Sequence, residues 1–140
     1  DGGLLNYIND HRIPLEVCIK SNVQTQACES FAHHPVGFYY DYGLRVTICT
    51  DNRLITDTTV TDELFLLVEH FGFTIDDIRN ITIQGFKSAF MPFRKKREVM
   101  EKALREFDEI INEHAPSEGK KKKQRKPTKS RRVAAEVSTI

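Results

Sequence analysis

Leu44-Arg45-Val46-Thr47-Ile48-Cys49-Thr50-Asp51-Asn52 alternates apolar and polar side chains for six residues and then turns polar. The alternation predicts a strand over 44–49, because successive side chains of a strand point to opposite faces. Thr50-Asp51-Asn52 stops it. A second apolar, β-branched stretch, Leu15-Glu16-Val17-Cys18-Ile19, lies upstream behind Pro14, which favours extended backbone before it. The two stretches start about 30 residues apart, the length of one βα unit. Between them, Ser21-Asn22 reads as a loop and Pro35 to Tyr42 as a short helix, with Gly43 as its C-cap.

The remaining segments read as helices. Leu4, Leu5 and Ile8 recur at helical spacing and stop near Asp10-His11. Thr61 is a candidate cap for a helix whose Leu64, Leu67, Val68 and Phe71 share one face, and Gly72 ends it. Thr74 with Asp77 resembles a capping box opening a helix through Ile75, Ile78 and Ile81. Pro92 suits the first position of a last helix with Val99, Ala103, Phe107 and Ile110 as its apolar stripe, ending near His114-Ala115-Pro116. Two parallel strands bury too little to stand as a sheet. The pattern therefore predicts an α/β chain that forms the end of a larger parallel sheet or barrel. Its 140 residues are too few for a whole (β/α)₈ barrel, which takes roughly 200 or more.

The formal charge of +1 conceals an asymmetry: residues 116–140 sum to +7 and the rest to −6. The expected division is a folded region over 1–115 and a basic, disordered tail over 116–140. That tail contains Lys120-Lys121-Lys122-Lys123-Gln124-Arg125-Lys126 without aromatic residues between the charges. Non-specific contact with anions fits it better than base stacking does, so a nucleic-acid partner is not expected. Cys18, Cys28 and Cys49 are odd in number and form no C-x-x-C, which argues against a disulfide framework or a zinc finger. Reduced thiols and a cytoplasmic location are the expectation. No run of about 18 apolar residues is present, so no membrane span is expected. The first residue is Asp1, which suggests a processed or partial chain.

Asp51 is the residue most suggestive of chemistry. In parallel α/β barrels, functional groups sit at the C-terminal ends of strands. Position alone leaves it open between a metal ligand, a general base and a turn-forming or capping aspartate.

The words around it narrow the choice. Ile13-Pro14-Leu15-Glu16-Val17-Cys18 with Ser21-Asn22-Val23-Gln24-Thr25, then His34-Pro35, then Val46-Thr47-Ile48-Cys49-Thr50-Asp51-Asn52, then Thr58-Thr59 with Glu63, and finally Lys87-Ser88-Ala89-Phe90 follow one another in order. Together they resemble the adenosine deaminase family over about residues 1 to 111. That resemblance implies the C-terminal part of a (β/α)₈ barrel: its last two βα units plus C-terminal helices. It implies Zn²⁺, with Asp51 matching the aspartate that binds it, and Asn52 matching the position that contacts the purine base. It also implies a small-molecule purine nucleoside substrate, adenosine and 2′-deoxyadenosine, deaminated by water. Many members carry Asp where Asn52 stands; an amide offers purine N7 two donors, an ionised carboxylate none.

The family's H-x-H, H-A-x-E and G-H-G segments are absent from this sequence, and Asp1-Gly2-Gly3-Leu4-Leu5 resembles the family segment just after G-H-G. The expectation is therefore a piece of a deaminase with no further catalytic residue of its own. The alternative is a catalytically incomplete barrel remnant whose basic tail binds anionic partners. Among other candidates, His33-His34 resembles a paired ligand, but adjacent side chains diverge and His34 falls on the family's H-P element. His11, His70 and His114 are expected at helix ends. Cys18 and Cys49 are expected on strands, packed in the core. Glu16 is expected to be a buried, paired carboxylate without a catalytic role.

Overall fold

The computed structural model describes residues 2–114. The expectation of a disordered tail over 116–140 lies outside them. Element order is α1 (Gly2–Asp10), β1 (Leu15–Val17), α2 (Ile19–Gln24), a 3₁₀ turn (Phe31–His33), α3 (Val36–Tyr42), β2 (Val46–Ile48), α4 (Arg53–Thr56), α5 (Val60–Phe71), α6 (Ile75–Ser88) and α7 (Phe93–His114).

β1 and β2 pair in parallel with Leu15 opposite Val46, Glu16 opposite Thr47 and Val17 opposite Ile48. Both strands are shorter than the predicted stretches 15–19 and 44–49. Val17 and Val46 share the face that meets the helices, and with Ile19, Val36, Leu44, Leu67, Phe73, Ile78 and Ile81 they form the core. Helix α6 lies along β2, and the Gln84 side chain accepts the Val46 N–H at 2.7 Å. That bond satisfies a backbone donor on the strand edge that faces away from β1.

Local signals explain most helix boundaries. Gly43 and Gly72 both adopt left-handed φ, 94° and 63°, and close α3 and α5. Thr74 and Asp77 form the expected capping box of α6. Tyr40 donates to the same Asp77 at 3.0 Å, which fastens α3 to α6. His11 and His114 each hydrogen-bond a carbonyl four residues back, where a helix end favours a donor. His70, in the last turn of α5, stacks on Phe31 and pairs with Glu69 at 3.8 Å.

Several expectations need correction. Ser21-Asn22 is helix α2, not loop. Its N-cap residue, Cys18, supplies no side-chain acceptor, so no local cue announces the helix. Thr59, not Thr61, caps α5, in a reciprocal box with Asp62. Val68 and Ile75 are exposed, because α5 and α6 bury only Leu67, Ile78 and Ile81 fully among their apolar stripes. On α7 the half-buried side is Met100, Ala103, Leu104, Phe107 and Ile111, while Val99 and Ile110 face solvent. Pro92 lies just ahead of α7, its carbonyl accepting the Lys96 N–H at 2.9 Å. Arg79 of α6 reaches Asp108 of α7 with two bonds of 3.2 and 3.3 Å.

Candidate active site

Both strands run out at the same end of the sheet, and the residues following them meet there. Asp51, three residues beyond β2, has φ 53°. Few side chains tolerate that left-handed backbone, and Asp is among them. Its Oδ2 accepts the hydroxyl of Ser21 at 2.9 Å. Ser21 is almost wholly buried on α2, directly downstream of β1. Among the described residues nothing bonds Oδ1 of Asp51. The carboxylate is thus held by one oxygen and open at the other.

Asn52 is the N-cap of α4, where its Oδ1 accepts the N–H groups of Leu54 at 3.2 Å and Ile55 at 3.4 Å. An amide that caps through its oxygen keeps both N–H donors available. Behind it, buried Thr56 donates to the carbonyls of Asn52 and Thr50, which closes the turn on itself.

Glu63 is fully buried on α5. It accepts the backbone N–H of Lys20 at 3.2 Å and the Thr58 hydroxyl at 3.1 Å. Lys20 is the second residue of α2, so this carboxylate stands where a local N-cap side chain otherwise would. The Lys20 ammonium donates to the Asp57 carbonyl. In the sequence Glu63 stands out only as part of a motif. Its burial depends on contacts 43 residues apart in the chain.

The remaining candidates fall away. His34 is buried; its Nδ1 accepts the Val36 N–H at 3.1 Å and its Nε2 meets the Asn22 amide at 2.9 Å. Nε2 faces Nδ2 of Asn22 and Nδ1 faces the Val36 N–H, so both ring nitrogens are engaged and neither is free for a metal. Burial lowers the pKa of His34 and keeps it neutral. His33 is exposed and bonds Ser30 at 2.8 Å.

Cys18 and Cys49 lie one residue past their strands and are half-buried rather than packed in the core. Burial first, then the charges of Cys49, Asp51 and Glu63, raise the Cys18 thiol to about 11. Burial, then Glu16, raises Cys49. Both are thiols at neutral pH. Glu16 is exposed, contrary to expectation: it lies on the sheet face opposite the core. An apolar cleft of about 440 Å³ between α1, β1 and α3 is lined by Leu5, Ile8, Leu15 and Tyr39, and includes neither Asp51 nor Asn52.

Among the described residues no three His, Cys, Asp or Glu side chains converge on a point that could hold a metal. What Asp51 offers a cation is a single carboxylate oxygen, the one that Ser21 leaves open. No helix among the described residues is long and apolar enough to cross a membrane.

Residues 1–106 match the adenosine deaminase family model. Adenosine deaminase 1 of Streptomyces coelicolor is 45% identical over 95 residues, covering 68% of this chain and 24% of that protein. Adenosine deaminase of Mycobacteroides abscessus is 43% identical over 104 residues, covering 74% of this chain and 29% of that protein. The chain thus spans 24–29% of the length of these relatives. The crystal structure of adenine deaminase from Arthrobacter aurescens superposes with a TM-score of 0.72 at 23% identity, over 80% of this chain and 33% of that one. That likeness establishes that the helices and the strand pair share their arrangement with part of a known enzyme. With its first 106 residues matched to the family model and its strand-end words intact, this chain belongs to the adenosine deaminase family.

Proposed function

We propose that the chain contributes the last two βα units of a closed (β/α)₈ barrel that deaminates adenosine, and 2′-deoxyadenosine, with zinc. The single observation carrying this is the Asp51 carboxylate at the strand end, pinned through Oδ2 and open at Oδ1. The names of relatives at 43–45% identity favour the nucleoside over the free base.

Bound zinc supplies Lewis acidity, which brings the pKa of a coordinated water to about 7. Asp51 would hold the metal through Oδ1, and its charge offsets part of the metal's. Asn52 would donate from Nδ2 to a ring nitrogen of the purine, which orients the base while Oδ1 stays with α4. The other ligands and the proton-transfer groups come from outside the described residues in this reading. In this reading the substrate is a small molecule.

The test uses the full gene product carrying this chain. Purified protein should hold zinc and convert adenosine to inosine, followed by the absorbance change. Asp51→Ala should lose both metal and turnover. A variant that keeps its zinc and its rate would remove Asp51 from the site.

A further inference from the structure

We propose that Glu63 is a positioning residue for the reaction, acting through helix α2 and Ser21 to aim Asp51. The inference rests on the reading of Asp51 as a metal ligand and extends it to a residue that touches neither metal nor substrate.

The contacts form one path. Glu63 on α5 is wholly buried, and its two carboxylate oxygens take the Lys20 N–H and the Thr58 hydroxyl. Lys20 lies in the first turn of α2, and Thr58 lies between Asp51 and the start of α5. A single side chain therefore ties together the two strand-end segments whose tips carry Ser21 and Asp51. The next residue after Lys20 is Ser21, and its hydroxyl donates to Asp51 Oδ2. Helix α2 has six residues and no side-chain cap of its own, so its first turn depends on Glu63 for an acceptor. A carboxylate is costly to bury beside neutral partners, and a hydrophobic residue would fill the same volume at lower cost. Its presence there is accounted for by the two bonds it makes, both to segments of the site.

The consequence is geometric. If the first turn of α2 shifts, Ser21 leaves Oδ2, and the carboxylate of Asp51 becomes free to rotate. Among the described residues the Ser21 hydroxyl is the one hydrogen-bond donor that holds this carboxylate. Outer-shell partners of metal ligands commonly carry about 10- to 100-fold in metal affinity or activity.

The experiment compares Ser21→Ala, Glu63→Met, Glu63→Gln, Thr58→Val and Asp51→Ala in the full gene product. Metal retention against a chelator, kcat and KM are measured on the metal-loaded protein. Amide hydrogen exchange at Lys20 and Ser21 is measured on the metal-free protein. We expect Ser21→Ala and Glu63→Met each to weaken metal retention by about 10- to 100-fold, with kcat falling more than KM rises. Glu63→Gln, which keeps one acceptor and fills the same space, should recover most of that loss. In metal-free Glu63→Met, exchange at Lys20 should accelerate at least tenfold while amides within α6 hold. The Ser21→Ala/Glu63→Met double variant should be no worse than the poorer single one, since both act on one path.

If Glu63→Met does not fold, Thr58→Val cuts the other bond and should show the same pattern more weakly. Unchanged metal retention in folded Glu63→Met or Thr58→Val, with only a lower melting temperature, overturns the proposal, as do losses that multiply in the double variant. Those results, with Asp51→Ala still stripped of metal, would leave the site reading standing alone. A silent Asp51→Ala would sink both.

Discussion

Replacing Asn52 with serine should separate its structural duty from its proposed contact with substrate. Ser and Asn are comparable N-cap residues, so the hydroxyl can take over the Leu54 and Ile55 N–H groups. What serine cannot supply is the pair of amide donors. The two cap bonds are long, 3.2 and 3.4 Å, and α4 is a single turn whose first three residues are exposed. We therefore place the cap at the low end of its usual range, about 0.5–1 kcal/mol. One neutral hydrogen bond to the base is worth about 0.5–1.5 kcal/mol, or about 2- to 13-fold in kcat/KM. Asn52→Ser should keep wild-type stability and lose that factor in kcat/KM for adenosine, with metal content unchanged. Asn52→Ala should lose the same factor and, in addition, the cap energy, read as a lower urea midpoint. The assays are urea denaturation and steady-state deamination of the full gene product. Wild-type kinetics in Asn52→Ser would reduce Asn52 to a cap, and a stability loss matching that of Asn52→Ala would refute the capping account.

Further outcomes are expected from the same structure. Leu67→Ala, at a fully buried core position, should cost about 2–5 kcal/mol in denaturant unfolding, whereas Val68→Ala, on the exposed side of the same helix, should cost far less. Thr59→Ala should cost about 1 kcal/mol and Thr61→Ala little, since only the former takes part in the box with Asp62. Burial lowers the folded-state pKa of His34 below its unfolded value, so below about pH 6.5 the unfolded chain binds the extra proton. Stability should therefore fall as pH drops below that point, by at most about 1.4 kcal/mol per pH unit from this group, and His34→Gln should flatten the slope. Cys18, with its thiol raised to about 11, should alkylate slowly at pH 7.5 relative to a free cysteine, and faster once the chain is unfolded.

Local chemistry is legible without coordinates. The alternation of 44–49 locates β2, and Gly43 and Gly72 sit at helix ends because only a residue without Cβ adopts φ above zero at no cost. Thr74 three residues before Asp77 marks the start of α6 for the same kind of reason: the partners are one turn apart. Thr59 with Asp62 carries that spacing too, whereas Thr61 has Leu64 as its third neighbour and cannot complete a box. The placement of Asp51 at a strand end comes from the same stretch of chain as β2.

Beyond local chemistry lies everything that depends on which segments meet. α2 has no cap within its own sequence; its acceptor is Glu63, brought in by the packing of α5. Val68, Ile75, Val99 and Ile110 obey a helical period, but a period only says that side chains share a face, not whether another element covers it. The Ser21–Asp51 bond joins residues 30 apart and exists because β1 and β2 pair in parallel with a fixed register, which sets both strand ends side by side. Spacing in the sequence placed the carboxylate at the end of its strand, and only the tertiary structure determined which of its oxygens is held.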